Sequence, residues 1–184
     1  DAPRPGEFEL IARYFAPLAG EGAFNLLDDA ALVRVTPGKA LAMTQDAIMA
    51  GVHFFSDDPP DTIAMKALRV NLSDLVAKGA TPKAFSLALG LHPDWTEEWV
   101  AEFAQGLARD CASYRLSLSG GDTFLAPGGP VISITAWGEI DPVQYRSRLG
   151  AKPGDRLFVT GNIGDAALGL MIRRNDQRLV NLEG

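Results

Sequence analysis

The chain has 184 residues, of which 47% are hydrophobic and 22% charged, a globular composition that excludes intrinsic disorder, collagen and coiled coil. Its 17 basic and 23 acidic residues give a net charge of −6, so its field repels nucleic acid, and any phosphate ligand must be held by local contacts. A lone cysteine, Cys111, and the lack of a bilayer-length apolar stretch or of a signal peptide in residues 1–6 predict a cytoplasmic protein with no membrane partner.

Hydrophobic spacing predicts the secondary structure of the first 80 residues. Apolar residues three and four positions apart predict an amphipathic helix from Glu7 to near Gly20. Two apolar segments, Ala31–Val35 and Ala40–Thr44, flank a Pro-Gly turn and predict a β-hairpin. A largely apolar, and therefore mostly buried, helix is predicted from Ile63 to Lys78.

The middle of the chain repeats a strand followed by a helix. Ala84–Leu91 predicts a strand, and Trp95–Tyr114 predicts a helix with Asp94 as its N-cap. A tight turn is predicted at Ser119–Thr123, and Val131–Glu139 has the alternation of a strand. These elements predict an α+β fold, in which helices cover one face of a mixed or antiparallel sheet.

The pattern of the sequence changes after residue 142, where turn-forming residues become frequent. A linker-like turn precedes a short predicted strand, Arg156–Thr160, and a helix that ends at Arg173. One strand and one helix are too few to bury a core of their own. We therefore predict an N-terminal domain over residues 1–142 and the start of an incomplete second α/β domain over residues 143–184.

Aspartates at the ends of predicted elements are the residues best suited to carry chemistry. They are Asp28 and Asp29 before a strand, Asp46 after one, Asp74 within the apolar helix and Asp122 after paired glycines. Two carboxylates about 5 Å apart repel by roughly 3 kcal/mol at an effective dielectric near 20, so a converging set requires cations. Mg²⁺ suits such oxygen ligands best. Taken singly, each aspartate fits the cap of a helix or a turn better than a metal ligand.

Asp74 is the aspartate least suited to a capping role. It lies in the middle of a helix that is otherwise apolar, and burying an unpaired carboxylate there costs several kcal/mol. Asn71, one turn earlier on the same face, predicts a polar stripe that the two residues share. The sequence contains neither a P-loop nor a Rossmann glycine motif, so any nucleotide must be bound in another way.

Five motifs in order resemble the thiamine-monophosphate kinase family, and the opening Gly6–Ile11 is similar to that family's N-terminus. The motifs are Asp28-Asp29-Ala30-Ala31, Thr44-Gln45-Asp46 with Gly51-Val52-His53-Phe54, Lys66-Ala67 with Asn71-Leu72-Ser73-Asp74-Leu75, Gly120-Gly121-Asp122-Thr123, and Arg148 with Gly150–Asp155. The resemblance covers essentially the whole chain and the first half of the family's architecture. It implies the superfamily that includes aminoimidazole ribonucleotide synthetase and selenophosphate synthetase, and the fold of their N-terminal domains.

The resemblance implies ATP-dependent phosphorylation of thiamine monophosphate to thiamine diphosphate with several Mg²⁺ ions. The implied metal ligands are Asp29, Thr44, Asp46, Asp74 and Asp122, the implied ATP contacts are Gly121, Asp122 and Arg148, and the implied contact to the thiamine phosphate is His53. Because the acceptor is already an ionised phosphate oxygen, no general base is required. Metals and positioning then bring two polyanions into line.

Partners and alternatives follow from the same resemblance. It implies a homodimer in which the N-terminal sheets pair with nucleotide near the interface, and an uncovered sheet face motivates the same expectation. Asn25-Leu26-Leu27 replaces the glycines that precede the acid pair in the family, and Gln45 replaces a hydroxyl residue. The family's second half is absent after Gly184, so we expect only part of the site here. The alternatives are a non-catalytic, dimerising Mg-nucleotide-binding module and another ATP-dependent enzyme of the superfamily.

Overall fold

The structure, a computed structural model, describes residues 4–180 and divides the chain into two compact units, with the boundary between Ser147 and Arg148. Residues 1–3 and 181–184, which belong to the predicted first and second domains, lie outside the described residues. The helices and strands of the first unit are α1 (Glu7–Leu10), β1 (Ala40–Met49), α2 (Pro60–Ala77), β2 (Thr81–Leu91), α3 (Glu97–Tyr114), β3 (Ser117–Leu125) and β4 (Val131–Ile140).

The first unit is built on a mixed four-stranded sheet with the strand order β1-β4-β2-β3. β4 is antiparallel to both of its neighbours, whereas β2 and β3 are parallel and are joined through α3. Two parallel strands need such a crossover connection, because a short hairpin can join only antiparallel strands. The predicted mixed sheet with covering helices is thereby confirmed.

The core lies between one face of this sheet and α2. Along β4, even-numbered residues from Ile132 to Ile140 are buried and odd-numbered residues are half-buried, which is the alternation of a strand with one face in the core. Phe85 and Leu89 of β2 and Leu68 of α2 are fully buried in the same cluster. We call the opposite side of the sheet the open face.

The N-terminal segment is helical throughout, as predicted, but changes its pitch. α1 continues into a π-helical turn at Ile11–Phe15 and a 3-10 turn at Ala16–Leu18. Glu97 at the start of α3 anchors this segment, because its carboxylate accepts a hydrogen bond from the Tyr14 hydroxyl at 2.6 Å and pairs with Arg13. These contacts, the tyrosine hydrogen bond first, lower the pKa of Glu97.

The predicted hairpin is wrong in its first strand. β1 begins at Ala40, whereas residues 27–39 run irregularly over the open face. The Thr36 N–H and hydroxyl donate to the Glu139 carboxylate on that face at 2.7 and 2.8 Å, which lowers the pKa of Glu139. Ala31–Val35 therefore satisfies its main chain through isolated contacts, such as Leu32 N–H to the Gly22 carbonyl at 2.8 Å, and has no ladder of its own.

Two further local predictions are also wrong. The predicted turn at Ser119–Thr123 lies inside β3, because β2 offers this glycine-rich segment a parallel partner through a one-residue register shift after Phe85. The N-cap of α3 is Thr96, whose hydroxyl accepts a hydrogen bond from the Trp99 N–H at 3.2 Å, and Asp94 lies outside the helix.

The second unit, described over residues 148–180, is helical. It contains a 3-10 turn at Arg148–Gly150 and the helices α4 (Asp165–Arg173) and α5 (Gln177–Val180). The predicted strand Arg156–Thr160 is irregular, since no other strand in this unit is available to pair with it. Over residues 4–180, no helix is both long and apolar enough to cross a membrane.

An ion pair with one buried member joins α2 to α3. The Asp110 carboxylate is 1% exposed and accepts hydrogen bonds from Arg69 Nε and Nη2 at 2.9 and 2.8 Å. The helices approach closely at Gly106, where a Cβ atom would lie 2.3 Å from the carbonyl oxygen of Asp61. The pair therefore fixes two helices whose backbones are already in contact.

Replacing Arg69 with methionine should lower the free energy of unfolding by about 2 kcal/mol, because Asp110 would stay buried without a counter-ion. The loss is moderate because about half of the Arg69 side chain is exposed, so solvent already screens the pair. Arg109→Met is the matched control, since Arg109 pairs with the more exposed Asp61. It should cost less than about 1 kcal/mol. Urea denaturation measures both values, and equal losses would contradict the role given to burial.

Candidate functional site

A cavity of about 380 Å³ lies beside β3, where the N-terminal segment meets the sheet. Its polar lining includes Glu7, Asp28, Asp29, Ser119 and Asp122, and its apolar lining includes Phe15, Leu26 and Trp137. Three of the predicted site residues, Asp29, Gly121 and Asp122, therefore share one cavity, together with Asp28. We call Asp28, Asp29 and Asp122 the cavity acids.

Gly121 brings the Asp122 carboxylate to the cavity by a close backbone approach. A Cβ atom at Gly121 would lie 1.8 Å from the carbonyl oxygen of Leu87 on β2, so only glycine allows the two strands to pair here. Gly120, in contrast, faces open space. The paired glycines thus serve strand pairing at one position and leave the backbone beside the cavity accessible at the other.

The loop before Asp28 has a left-handed backbone at three successive residues. Phe24, Asn25 and Leu26 have φ of 50°, 56° and 58°, a conformation that costs a non-glycine residue about 1 kcal/mol or more. Asn25 and Leu26 belong to the stretch Asn25-Leu26-Leu27, which replaces the glycines that precede the acid pair in the family. The backbone therefore follows a path that favours glycine, and Asp28 accepts a hydrogen bond from the Asp29 N–H at 2.8 Å at its end.

The remaining predicted ligands lie on β1 and α2. The Thr44 hydroxyl donates to Asp74 Oδ2 at 3.3 Å, and the Asp46 N–H donates to Asn71 Oδ1 at 3.0 Å. Asp74 is exposed and Asn71 is fully buried, so the expectation of a buried carboxylate at Asp74 is wrong. The buried polar group of this helix is the amide one turn earlier. We call Asp46 and Asp74 the helix-side acids.

The sheet separates the helix-side acids from the cavity acids. Asp46 is in register with Ile134, Ile134 with Leu87, and Leu87 with Gly121. Three strand spacings therefore separate the two outer strands here, a distance of roughly 14 Å. Asp122 is in register with Ala88, on the opposite face from Asp46. Within residues 4–180, no three His, Cys, Asp or Glu side chains converge to hold a metal ion.

Within residues 4–180, no basic side chain forms an ion pair with any of these carboxylates. The ion pairs of the described residues leave out all five aspartates, namely Asp28, Asp29, Asp46, Asp74 and Asp122. All five are exposed. Exposed carboxylates without counter-ions are the ligands that hard divalent cations require. The donor set is all oxygen, which suits Mg²⁺ and not zinc.

His53 lies in the exposed turn after β1. Its Nδ1 accepts a hydrogen bond from the Met49 N–H at 3.2 Å, which leaves the ring hydrogen on Nε2 as a donor for a ligand. Lys66 of α2 donates from Nζ to the His53 carbonyl oxygen and so holds this turn. Lys66 belongs to a motif quoted from the sequence, but the sequence alone did not indicate what it contacts.

Two other predicted positions lie apart from both groups of acids. Gln45 Nε2 donates to Ser133 Oγ at 3.3 Å, on the face opposite to that of Thr44. The Gln45 side chain is therefore on the opposite face from the Asp46 side chain and does not add a ligand to it. Arg148 is exposed in the second unit, at the start of its 3-10 turn. Its contact to ATP stays a prediction.

Sequence reasoning missed two cavity residues. Glu7, the first residue of α1, accepts a hydrogen bond from the Thr123 hydroxyl at 2.9 Å and so joins the N-terminal segment to β3. Trp137 Nε1 is buried without a hydrogen-bond partner among the described residues, and its side chain lines the cavity. The odd-numbered stripe of β4 was the available signal for Trp137, but only the fold shows that this stripe meets the cavity.

Comparisons with known proteins give consistent matches. Residues 27–140 match the family described as AIR synthase related protein, N-terminal domain. The thiamine-monophosphate kinase of Caulobacter vibrioides is 47% identical over 173 residues, which are 92% of this chain and 49% of that protein. The crystal structure of thiamine-monophosphate kinase from Stenotrophomonas maltophilia K279a is similar with a TM-score of 0.75 and 37% identity, over 82% of this chain and 46% of that one.

A structure of AaThiL complexed with AMPPCP and TMP is also similar, with a TM-score of 0.69 and 32% identity over 85% of this chain and 54% of that one. The chain thus spans about half the length of the curated relatives it matches. The resemblance predicted from the ordered motifs, and the N-terminal fold that it implied, are confirmed by these matches.

Replacing Gly121 with alanine should lower the free energy of unfolding by about 3 kcal/mol or more, because the new Cβ atom would collide with the β2 backbone. Gly128→Ala is the matched control, since a Cβ atom there meets open space, and it should change the value by less than about 0.5 kcal/mol. Urea denaturation gives both values. A Gly121→Ala variant as stable as the control would refute the close approach.

Proposed function

Because the chain belongs to the AIR synthase related protein N-terminal domain family, we propose that it forms the N-terminal half of a kinase that phosphorylates thiamine monophosphate with ATP. The proposal rests on one structural observation, the five exposed aspartates without basic partners. The alignment of 92% of the chain with a thiamine-monophosphate kinase supports it. A cytoplasmic location is part of the same proposal.

The residues present fit Mg²⁺ as the cofactor of this reaction. Asp46 and Asp74, with the Thr44 hydroxyl, would hold Mg²⁺ on one side of the sheet, and Asp29 and Asp122 would hold it at the cavity, where it would neutralise the charge of the phosphate groups. The side chains of this chain need not remove a proton, because the acceptor oxygen of thiamine monophosphate is already ionised. Their work is to bind and orient two polyanions in line.

Two groups would contact phosphate directly. The His53 Nε2–H is free to donate to the phosphate of thiamine monophosphate, because Nδ1 is occupied by the Met49 N–H. The backbone at Gly120 and Gly121 is open to a phosphate of ATP beside Asp122, since no Cβ atom covers it. That Arg148 contacts ATP, as the family resemblance implies, stays a prediction.

We also propose that the protein is a homodimer whose sheets pair and whose site is shared between two copies. The helix-side and cavity acids of one chain are roughly 14 Å apart on opposite faces, which is too far for one ion. The open face exposes Leu41, Met43 and Met49 of β1, with exposures of 44%, 70% and 42%. In the proposed dimer a two-fold copy covers this face, and the helix-side acids at the β1 edge of one protomer share a site with the cavity acids of its partner.

A second candidate function is a Mg-nucleotide-binding module without turnover. The observation that favours it is that no three His, Cys, Asp or Glu side chains of residues 4–180 converge on one metal ion. Calorimetry with Mg·ATP beside a turnover assay on the complete gene product distinguishes the two, because binding without product supports the module and product supports the kinase. Substituting selenide or formylglycinamidine ribonucleotide for thiamine monophosphate in the complete gene product tests the other enzymes of the superfamily.

Removing either group of acids should abolish phosphoryl transfer. We expect Asp74→Asn and Asp122→Asn each to lower thiamine diphosphate formation by the complete gene product by about 100-fold or more, because the phosphate charges would lose a metal ligand. Asp94→Asn is the matched control, since it removes the same charge from an 87% exposed side chain outside both groups. Unchanged turnover in Asp74→Asn and Asp122→Asn would remove the proposed metal role.

Mixing variants tests whether the site is shared. Asp46→Asn and Asp122→Asn should each be inactive, but an equimolar mixture after subunit exchange should recover about a quarter of the wild-type activity, because half the dimers then carry one intact site of two. Asp46→Asn mixed with Asp74→Asn is the control without recovery, since both lie in the same group. No recovery in either mixture, with exchange demonstrated, would mean that each site lies within one chain.

A further inference from the structure

Asn71 and Asp110 are the two buried polar side chains of residues 4–180. Asp110 is accounted for by its ion pair with Arg69 between two helices. Asn71 has no charged partner, and its amide bonds only to main-chain atoms. Its Nδ2 donates to the Ala67 carbonyl oxygen, and its Oδ1 accepts from the Asp46 N–H, both at 3.0 Å. The first bond stays within α2, whereas the second leaves the helix and reaches β1.

The bond to Asp46 fixes an edge strand. β1 has β4 as its one neighbour in the sheet, so every second N–H group of β1 points away from the sheet without a strand partner. The Asp46 N–H is held by a helix side chain that is itself 0% exposed. The backbone that carries the Asp46 carboxylate is therefore attached to α2, and not only to the sheet.

The same helix carries the second carboxylate of this group. Ala67, Asn71 and Asp74 follow one another at four and three residues, so they share one face of α2. The Thr44 hydroxyl, two residues before Asp46, contacts Asp74 at 3.3 Å. Two cross-links, one partly buried and one at the surface, thus set the position of β1 along α2.

We propose that Asn71 is a positioning residue for the cation that Asp46 and Asp74 hold. This inference rests on the metal role in the proposed function and adds to it a residue that contacts neither metal nor substrate. By fixing the Asp46 backbone relative to α2, Asn71 keeps the two carboxylates in register before the cation arrives. Binding then requires little ordering of the edge strand, and affinity is higher for that reason.

Few side chains could replace asparagine in this role. Leucine has a similar volume, but it would leave the partly buried Asp46 N–H without its acceptor. Aspartate would accept the bond, but it would place a third carboxylate beside Asp46 and Asp74 in an apolar interior. A neutral side chain with an acceptor at this length is what the position requires.

The test measures cation binding directly, without turnover. Mn²⁺, a paramagnetic substitute for Mg²⁺, is titrated into the chain, and free Mn²⁺ is followed by electron paramagnetic resonance. Asn71→Ala should weaken Mn²⁺ binding about 10- to 100-fold. Leu72→Ala is the matched control, because it truncates the next buried residue of α2, which bonds to neither acid, and it should change the affinity less than about twofold. Urea denaturation establishes that both variants are folded.

A second variant and a second measurement keep the test decisive. If Asn71→Ala does not fold, Asn71→Ser retains a polar group that is too short to reach β1 and should show the same loss of affinity. Hydrogen exchange of the Asp46 amide should be slow in the wild type and at least about tenfold faster in either Asn71 variant, but not in Leu72→Ala.

The outcomes separate this inference from the proposed function. Loss of Mn²⁺ binding in Asp46→Asn and Asp74→Asn, with wild-type affinity in the Asn71 variants, would overturn the positioning role alone. Mn²⁺ binding that is undetectable in the wild type, or unaffected in both aspartate variants, would overturn the metal role and the positioning role together. Weakened binding in the Asn71 variants beside an unchanged Leu72→Ala supports both.

Discussion

Negative charge that the chain does not neutralise is the constraint on which the rest of this structure depends. Five aspartates are exposed around one sheet without a basic partner in residues 4–180, although the sequence contains 17 lysines and arginines. Such carboxylates repel one another when they approach closely. The fold keeps the helix-side acids and the cavity acids apart, by roughly 14 Å across the sheet and on opposite faces. A cation is needed to offset the repulsion wherever a bound ligand brings these carboxylates close to one another.

The positions of these carboxylates are set by backbone packing, because no salt bridge among the described residues holds them. Gly121 allows β3 to pair with β2 so closely that Asp122 reaches the cavity, and Asn71 attaches the backbone of Asp46 to α2. Both attachments lead into a core in which residues such as Phe85 are fully buried. The carboxylates therefore stay accessible while packing and hydrogen bonds hold the main chain beneath Asp46 and Asp122, which is the arrangement that a cation site requires.

Local pattern predicted the elements that have a complete hydrophobic period. α2, α3 and β4 agree with their predicted ranges to within a few residues, because a repeat of 3.6 or of 2 is a property of the segment itself. Ala31–Val35 was predicted as a strand but is irregular, because its backbone makes isolated contacts, such as Leu32 N–H to the Gly22 carbonyl, and not the ladder of a neighbouring strand. Ser119–Thr123 was predicted as a turn but is paired, because β2 lies beside it.

For the candidate site, the sequence by itself determined the residue types and, through ordered motifs, the family. It also indicated that Asn71 and Asp74 share one helix face. Only the tertiary structure decided that Asn71 is the buried member and Asp74 the exposed one, since that depends on where β1 lies against the helix. It likewise decided that the acids form two groups. The strand order places β1 and β3 at opposite edges, and strand order is a long-range pairing that no local pattern encodes.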